Sequence, residues 1–281
     1  MKENLEKERL PQCDSFTPFY LWQYRRCTCD MLEYIAANIH NINFHFHDMN
    51  DSKMPDPSQY DLLGFASYAQ SFNPPEYVEN YIKKLTGTEK KYAFVFNTFG
   101  FINGNTLNSL ALCVKSIGCR VIESFALHTP ESSPIMIRYK ITSENSPNEK
   151  EMQKFNDFIK ELDLKISKIS TGEVIQEITI KEKKFFSAMG KSISKKSLSD
   201  IGEKSVNQDK CIKCKMCIKK CPYNAVNRDS EYPEFDEKKC KSCFICYNAC
   251  PTQAIYSNKY VSIHYRNPNS KVVSKLKVRS F

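Results

Sequence analysis

No run of 18 apolar residues occurs in this 281-residue chain, so a membrane-spanning helix is not expected. The N-terminus, MKENLEKERLPQ, is charged and polar and lacks the apolar stretch of a secretory signal. Phosphate-loop and Ser-His-Asp signatures are absent, which argues against a dedicated NTPase or hydrolase, and no catalytic acid–base or nucleophile set stands out. Arginine is missing from Lys181 to Lys220, where 12 lysines face four acids (Glu182, Asp200, Glu203 and Asp209) within a chain of net charge +9. Without arginine and interleaved aromatics, that stretch makes a poor nucleic-acid surface. It reads first as a solvated lysine-rich face.

What is present is cysteine in a strict pattern. Cys211 to Pro222 reads CIKCKMCIKKCP, and Cys240 to Pro251 reads CKSCFICYNACP. Both are C-x2-C-x2-C-x3-C-P. Cys211, Cys214, Cys217 and Cys221 map onto Cys240, Cys243, Cys246 and Cys250 at a constant offset of 29 residues. Pro222 and Pro251, Ala225 and Ala254, and Val226 and Ile255 follow the same offset, so one structural unit is used twice. Three closely spaced thiolates reach three irons of a 4Fe–4S cubane, and a distant cysteine takes the fourth. In two-cluster proteins, the fourth cysteine of each run serves the other cluster. The spacing predicts one cluster on Cys211, Cys214, Cys217 and Cys250, and another on Cys240, Cys243, Cys246 and Cys221. Each proline fixes φ and turns the chain away from the cluster. Structural zinc prefers two separated C-x2-C pairs, which this spacing suits poorly. A disulfide framework lacks a secretory context.

Eight of the 13 cysteines lie in the runs; the others are Cys13, Cys27, Cys29, Cys113 and Cys119. Reduced thiols and iron–sulfur ligands both fit a reducing, cytoplasmic location. The lysines around the runs, with Lys238, Lys239 and Lys241, also offer a basic docking face for an acidic redox partner.

Before the cysteine runs, the pattern alternates strands and helices. Strands are predicted at Phe16–Tyr24, Asn41–Asp48, Tyr60–Ser67, Lys91–Asn97 and Cys119–Ala126. Helices are predicted from Cys29 to about Ile39, with Asp30 and Glu33 at capping-box spacing, from Pro74-Pro75 to about Leu85, and over Asn105–Ile117. Asn41–Asp48 alternates cleanly and reads as a half-exposed strand at or near a sheet edge, with His45 and His47 as exposed edge residues rather than metal ligands. Tyr60–Ser67 is almost wholly apolar, as a central parallel strand requires. Ser146, Pro147 and Glu149 read as the cap and first turn of an amphipathic helix carrying Met152, Phe155, Ile159, Leu162, Ile166 and Ile169. Such alternation predicts a doubly wound parallel sheet. The predicted organisation is an α/β domain over 16–170, a basic linker over 171–205, a two-cluster module over 206–260 and a basic tail over 261–281.

These parts resemble the flavodoxin–ferredoxin fusion proteins of anaerobes. The likeness rests on the two cysteine runs, on Tyr60-Asp61-Leu62-Leu63-Gly64-Phe65, on the Thr98-Phe99-Gly100 loop, and weakly on His264-Tyr265-Arg266-Asn267-Pro268. It implies a flavodoxin-like doubly wound parallel sheet of order 2-1-3-4-5 followed by a small α+β two-cluster ferredoxin domain, with FMN at the carboxyl ends of the strands. It also implies Thr98 and Gly100 near the isoalloxazine ring. One loop departs from the family. Where it has a glycine-rich phosphate nest, this chain reads Arg26-Cys27-Thr28-Cys29-Asp30-Met31, with cysteines in place of both glycines and a carboxylate in the anion site. Arg25 and Arg26 are placed to offset that charge.

Three readings follow. The first is a single-electron carrier on two 4Fe–4S clusters with a flavin-free flavodoxin-like domain. The second is an FMN-dependent oxidoreductase whose clusters feed the flavin. The third is a module whose clusters sense iron or oxygen.

Overall fold

A computed structural model of the chain describes residues 13–19, 30–40, 42–49, 54–181, 202–227 and 229–259. Five parallel strands form one sheet: β1 (Cys13–Phe19), β2 (Ile42–Asp48), β3 (Leu62–Tyr68), β4 (Tyr92–Phe99) and β5 (Arg120–His128). Their order is β2-β1-β3-β4-β5, with every neighbouring pair parallel. This is the flavodoxin-like order, with its reversal of strand order between β1 and β3. The predicted first strand is corrected at its start: it begins at Cys13, with Cys13 to Phe19 in register with Ile42 to Asp48; its predicted part beyond Phe19 lies outside the described residues. Residues 20–29, with the expected phosphate-loop positions, lie outside the described residues.

Alternation along the strands explains the two faces. Leu62, Ala66, Phe94, Phe96 and Ile122 point to one side. There they meet α1 (Asp30–Ala37) and α5 (Glu149–Ser170), through Met31, Leu32, Ile35, Phe155, Ile159 and Leu162. Leu63, Phe65, Ala93, Val95 and Val121 point to the other side, under α2 (Glu76–Ile82) and α3 (Thr106–Ser116). All seven residues of β3 are buried, as its unbroken apolar run requires. β2 is the edge strand, and its outward residues are half-exposed as expected. His45 does stand exposed, with its ring edge on Tyr60. His47 departs from the expectation: it is half-buried and stacks on Tyr81, because α2 covers that end of the sheet.

The start of α5 is a second correction. Ser146 does not cap it. Asn148 does, its side chain accepting from Glu151 N at 3.0 Å while the Glu151 carboxylate accepts from Asn148 N at 2.6 Å. That reciprocal pair satisfies two backbone donors at once. Ser146 Oγ instead meets His128 Nδ1 at 2.9 Å. The chain after α5 stays on the sheet: Ile178 N donates to Val121 O at 2.9 Å, and Ile175 is buried in the core.

A short helix, α4 (Pro134–Arg138), follows β5. The remaining described elements are β6 (Lys204–Val206), α6 (Met216–Lys219), α7 (Ile245–Ala249) and β7 (Ile255–Ser257), with β6 antiparallel to β7. Among the described residues no helix is long and apolar enough to cross a membrane.

One loop of the sheet depends on a bare backbone. Gly104 sits at φ +61°, and a Cβ there would lie 2.4 Å from Phe72 Cβ and 2.9 Å from Phe72 Cα. Left-handed strain and a clash with backbone would add, so Gly104→Ala is expected to cost about 2 kcal/mol. Urea denaturation beside the unaltered chain checks this; an unchanged midpoint contradicts the close packing of this loop.

Candidate metal centre

The repeat seen in the cysteines extends to the backbone. Lys213 and Ser242, Lys215 and Phe244, and Asn224 and Gln253 all take left-handed conformations, and each pair is 29 residues apart. α6 and α7 start 29 residues apart at Met216 and Ile245. The pairing of Val206 with Ile255 is matched by that of Phe235 with Val226. Left-handed residues between the first three cysteines curl each run, a backbone form that turns successive N–H groups to one side. Ala225 N donates to Cys221 Sγ at 3.3 Å, and Ala254 N donates to Cys250 Sγ at 3.2 Å.

The eight thiols fall into two groups, each drawing one member from the other run. Cys211, Cys214, Cys217 and Cys250 line one cavity. The thiols acting on Cys217 are Cys214 and Cys250. Cys243 and Cys246 instead interact with Cys240 and Cys221. Burial pushes the Cys217 thiol up to about 11 and the Cys243 thiol to about 12, and it raises Cys246 well above the ordinary thiol value. Metal ligands must be deprotonated, so a cation bound in either group displaces protons that burial otherwise retains. Among the described residues, no three His, Cys, Asp or Glu side chains converge on the position of a single metal ion. A cubane sets its four thiolates on four different irons, and therefore farther apart than one ion does. The all-thiol donor set and the N–H groups donating to Cys221 and Cys250 fit such a cluster.

Lys204 was hidden in the sequence, where it reads as one lysine of a solvated run. In the structure it is only 6% exposed. Its Nζ donates to Cys240 Sγ at 3.0 Å and to Ser242 Oγ at 3.4 Å, and lies 5.7 Å from the centre of the Phe244 ring. Burial disfavours its charge, but Cys240, with Cys246 and Glu237 behind it, outweighs burial and raises its pKa above the ordinary lysine value. Outside the runs, Cys113 and Cys119 are buried under the sheet, with burial pushing them up to about 11 and 12.

The second run docks on the carboxyl end of the sheet. Ile245 is buried in the core beneath α2 and α3. Gln70 Nε2 donates to Lys241 O at 3.2 Å, and Asn248 Nδ2 donates to Ser132 O at 3.1 Å. Lys241 Nζ lies 3.4 Å from Glu76, and the Tyr77 and Tyr223 rings meet edge-on at 5.5 Å. Between the two parts lies a cavity of about 200 Å³, walled by residues such as Tyr68, Gln70, Phe101, Glu131, Cys243 and Phe244. It sits at the carboxyl ends of β3 and β4, where open α/β sheets receive ligands. Gly100 lines it, whereas Thr98 is buried within β4 and is not part of the wall. The Glu131 carboxylate accepts from Ser132 N at 2.8 Å and Ser133 N at 2.9 Å. Burial raises its pKa, while those N–H groups oppose the rise. Beside the cavity, His128 ties Gly100 O to Ser143, Ser146 and Glu151, fixing the loop after β4 to the start of α5.

Residues 210–254 match a family model described as a 4Fe-4S dicluster domain. No curated protein matches the chain. Among solved structures, the chain is similar to a flavodoxin from the domain Archaea: 14% identity, TM-score 0.41, covering 55% of this chain and 99% of that one. It is also similar to flavodoxin 1 from Bacillus cereus, at 17% identity, TM-score 0.35 and coverage of 54% and 97%. A Fusobacterium nucleatum flavodoxin bound to flavin mononucleotide gives 14% identity, TM-score 0.36 and coverage of 55% and 98%. The order and direction of the five strands carry the fold assignment. The chain thus carries a flavodoxin-like α/β domain and, after it, a ferredoxin-type 4Fe–4S domain.

Proposed function

We propose that this protein passes single electrons through two 4Fe–4S clusters. One is held by Cys211, Cys214, Cys217 and Cys250, the other by Cys240, Cys243, Cys246 and Cys221. The observation that supports this reading is that Cys250 of the second run lines the same cavity as Cys211, Cys214 and Cys217. When bound, each cluster supplies a one-electron couple without bond making. The chain supplies the rest. Cysteines fix the two positions, while Ala225 N and Ala254 N donate to ligand sulfurs and ease added negative charge. Phe244, Tyr247, Val226 and Ile255 exclude water between the two groups. The first group is the more open one: Cys214 is exposed, as is Ile212 beside it. That end, flanked by Lys213, Lys215 and Lys219, suits an acidic redox protein in the cytoplasm. Iron and acid-labile sulfide assayed on anaerobically purified protein test the reading; zinc in place of iron overturns it.

A second reading is favoured by the cavity between the domains. An oxidoreductase that feeds a flavin from its clusters needs a ring site against one cluster, and Cys243 and Phe244 wall this cavity. Tyr68, Gln70 and Phe101 would face the ring; of the phosphate positions, Arg26 to Cys29 fall outside the described residues and Asp30 opens α1. Flavin released by acid and quantified against protein decides. About one FMN per chain supports the oxidoreductase, and none supports the carrier on a flavin-free scaffold.

A further inference from the structure

The two groups of cysteines are repeats of one unit, yet their surroundings differ by a single buried charge. Lys204 stands on the Cys240 group, its Nζ 3.0 Å from Cys240 Sγ. The residue 29 positions on is Pro233, and it lines the cavity of the Cys211 group. The position where one half carries a buried ammonium thus carries an uncharged ring in the other. The other walls of the Cys211 cavity include Val206, Ile218, Ala254 and Ile255, all apolar. The nearest lysines on that side do not replace Lys204. Lys213 is exposed and ion-paired with Glu231, and Lys215 is exposed. Charges in water are screened, whereas a buried one is screened much less. Glu237 accepts from Lys204 N at 2.9 Å and works against the ammonium, but Glu237 is exposed and is weakened by the same screening.

Adding an electron makes a cluster more negative, and a fixed positive charge favours the added electron and raises the potential. We propose that Lys204 polarises the pair, so that an electron entering the protein comes to rest on the Cys240 group, at the wall of the interdomain cavity, and not on the exposed Cys211 group. This rests on the two-cluster reading above. The step is one electron: the cluster held by the Cys211 group would be oxidised by one, the cluster held by the Cys240 group would be reduced by one, and no bond or proton would move. The reductant that loads the Cys211 group is a low-potential one-electron donor protein, and titanium(III) citrate takes its place in the test. The arrangement gives the molecule a direction. Electrons enter at the open end, beside Cys214 and Ile212, and collect where Cys243 meets the carboxyl ends of β3 and β4.

The test uses the full chain, purified anaerobically and shown by iron and sulfide content to carry both clusters. Redox titration followed by electron paramagnetic resonance should give two potentials in the unaltered protein. Lys204→Gln should lower one of them by at least 59 mV, a tenfold change in how one electron divides between the clusters, and leave the other in place. Lys204→Arg, which keeps the charge, should hold the separation. If Lys204→Gln moves neither potential, or moves both alike, the proposal is overturned. Should that variant fail to retain iron, the unaltered protein answers alone. With one electron per chain, hyperfine-shifted proton resonances of the cysteine methylenes should place the electron on Cys240, Cys243, Cys246 and Cys221. An electron on the Cys211 group, or one shared equally, contradicts the proposal. Failure to find two clusters would instead remove the reading beneath it.

Discussion

Changing Cys221 to alanine is expected to empty the cluster of the other run. Cys221 belongs by sequence to the first run, but its thiol interacts with Cys243 and Cys246. Cys221→Ala leaves the Cys240 group with three thiols, and about four of about eight irons should be lost, or more if damage spreads through the shared α6 and α7 packing. Cys250→Ala should do the converse and empty the Cys211 group. The resonance signal remaining in each variant identifies the surviving cluster. Lys204 supplies the marker, because the potential that depends on its charge should disappear with Cys221→Ala and persist with Cys250→Ala. Iron content equal to that of the unaltered protein contradicts the ligand assignment. Loss of the same signal in both variants contradicts the exchange of fourth cysteines.

The second large effect concerns the α/β domain. Phe155 is fully buried, and its ring centre lies 5.5 to 5.7 Å from those of Phe96, Phe125 and Tyr34, and 6.2 Å from that of Phe158. It joins α5 to the sheet and to α1 at one point. Phe155→Ala removes a ring that no neighbour can replace without leaving its own rotamer, so the domain should lose about 3–5 kcal/mol. Far-ultraviolet circular dichroism in urea measures this. Iron content at zero denaturant should be retained, because the cysteine runs do not contact Phe155. A loss below about 1 kcal/mol would be typical of a surface site and would contradict the core described here.

How much of this was readable in the sequence depends on how far apart the interacting residues lie. The thiol runs were legible because the first three cysteines of each run sit three residues apart and the unit recurs. The sheet was legible because β3 and β4 are apolar on both faces, while β2 alternates. The start of α5 was misread by two residues: Ser146-Pro147 looks like a helix start, but Asn148 and Glu151 satisfy each other's backbone. Lys204 was unreadable as a special residue. Its burial follows from β6 pairing with β7, so that residue 204 lies opposite residue 257. The cavity was unreadable for the same reason, since its walls come from the ends of β3 and β4, from Glu131 and from residues 241–244. The docking of Ile245 beneath α2 and α3 brings them together, and nothing local in Phe244-Ile245-Cys246 announces it.

The measurement that tests the central claim most directly is iron and acid-labile sulfide per chain on anaerobically purified protein, read together with the resonance spectrum of the reduced state. About eight irons and eight sulfides, with the signature of two interacting one-electron centres, are expected. A single metal ion in each thiol group, or iron without sulfide, would contradict the account.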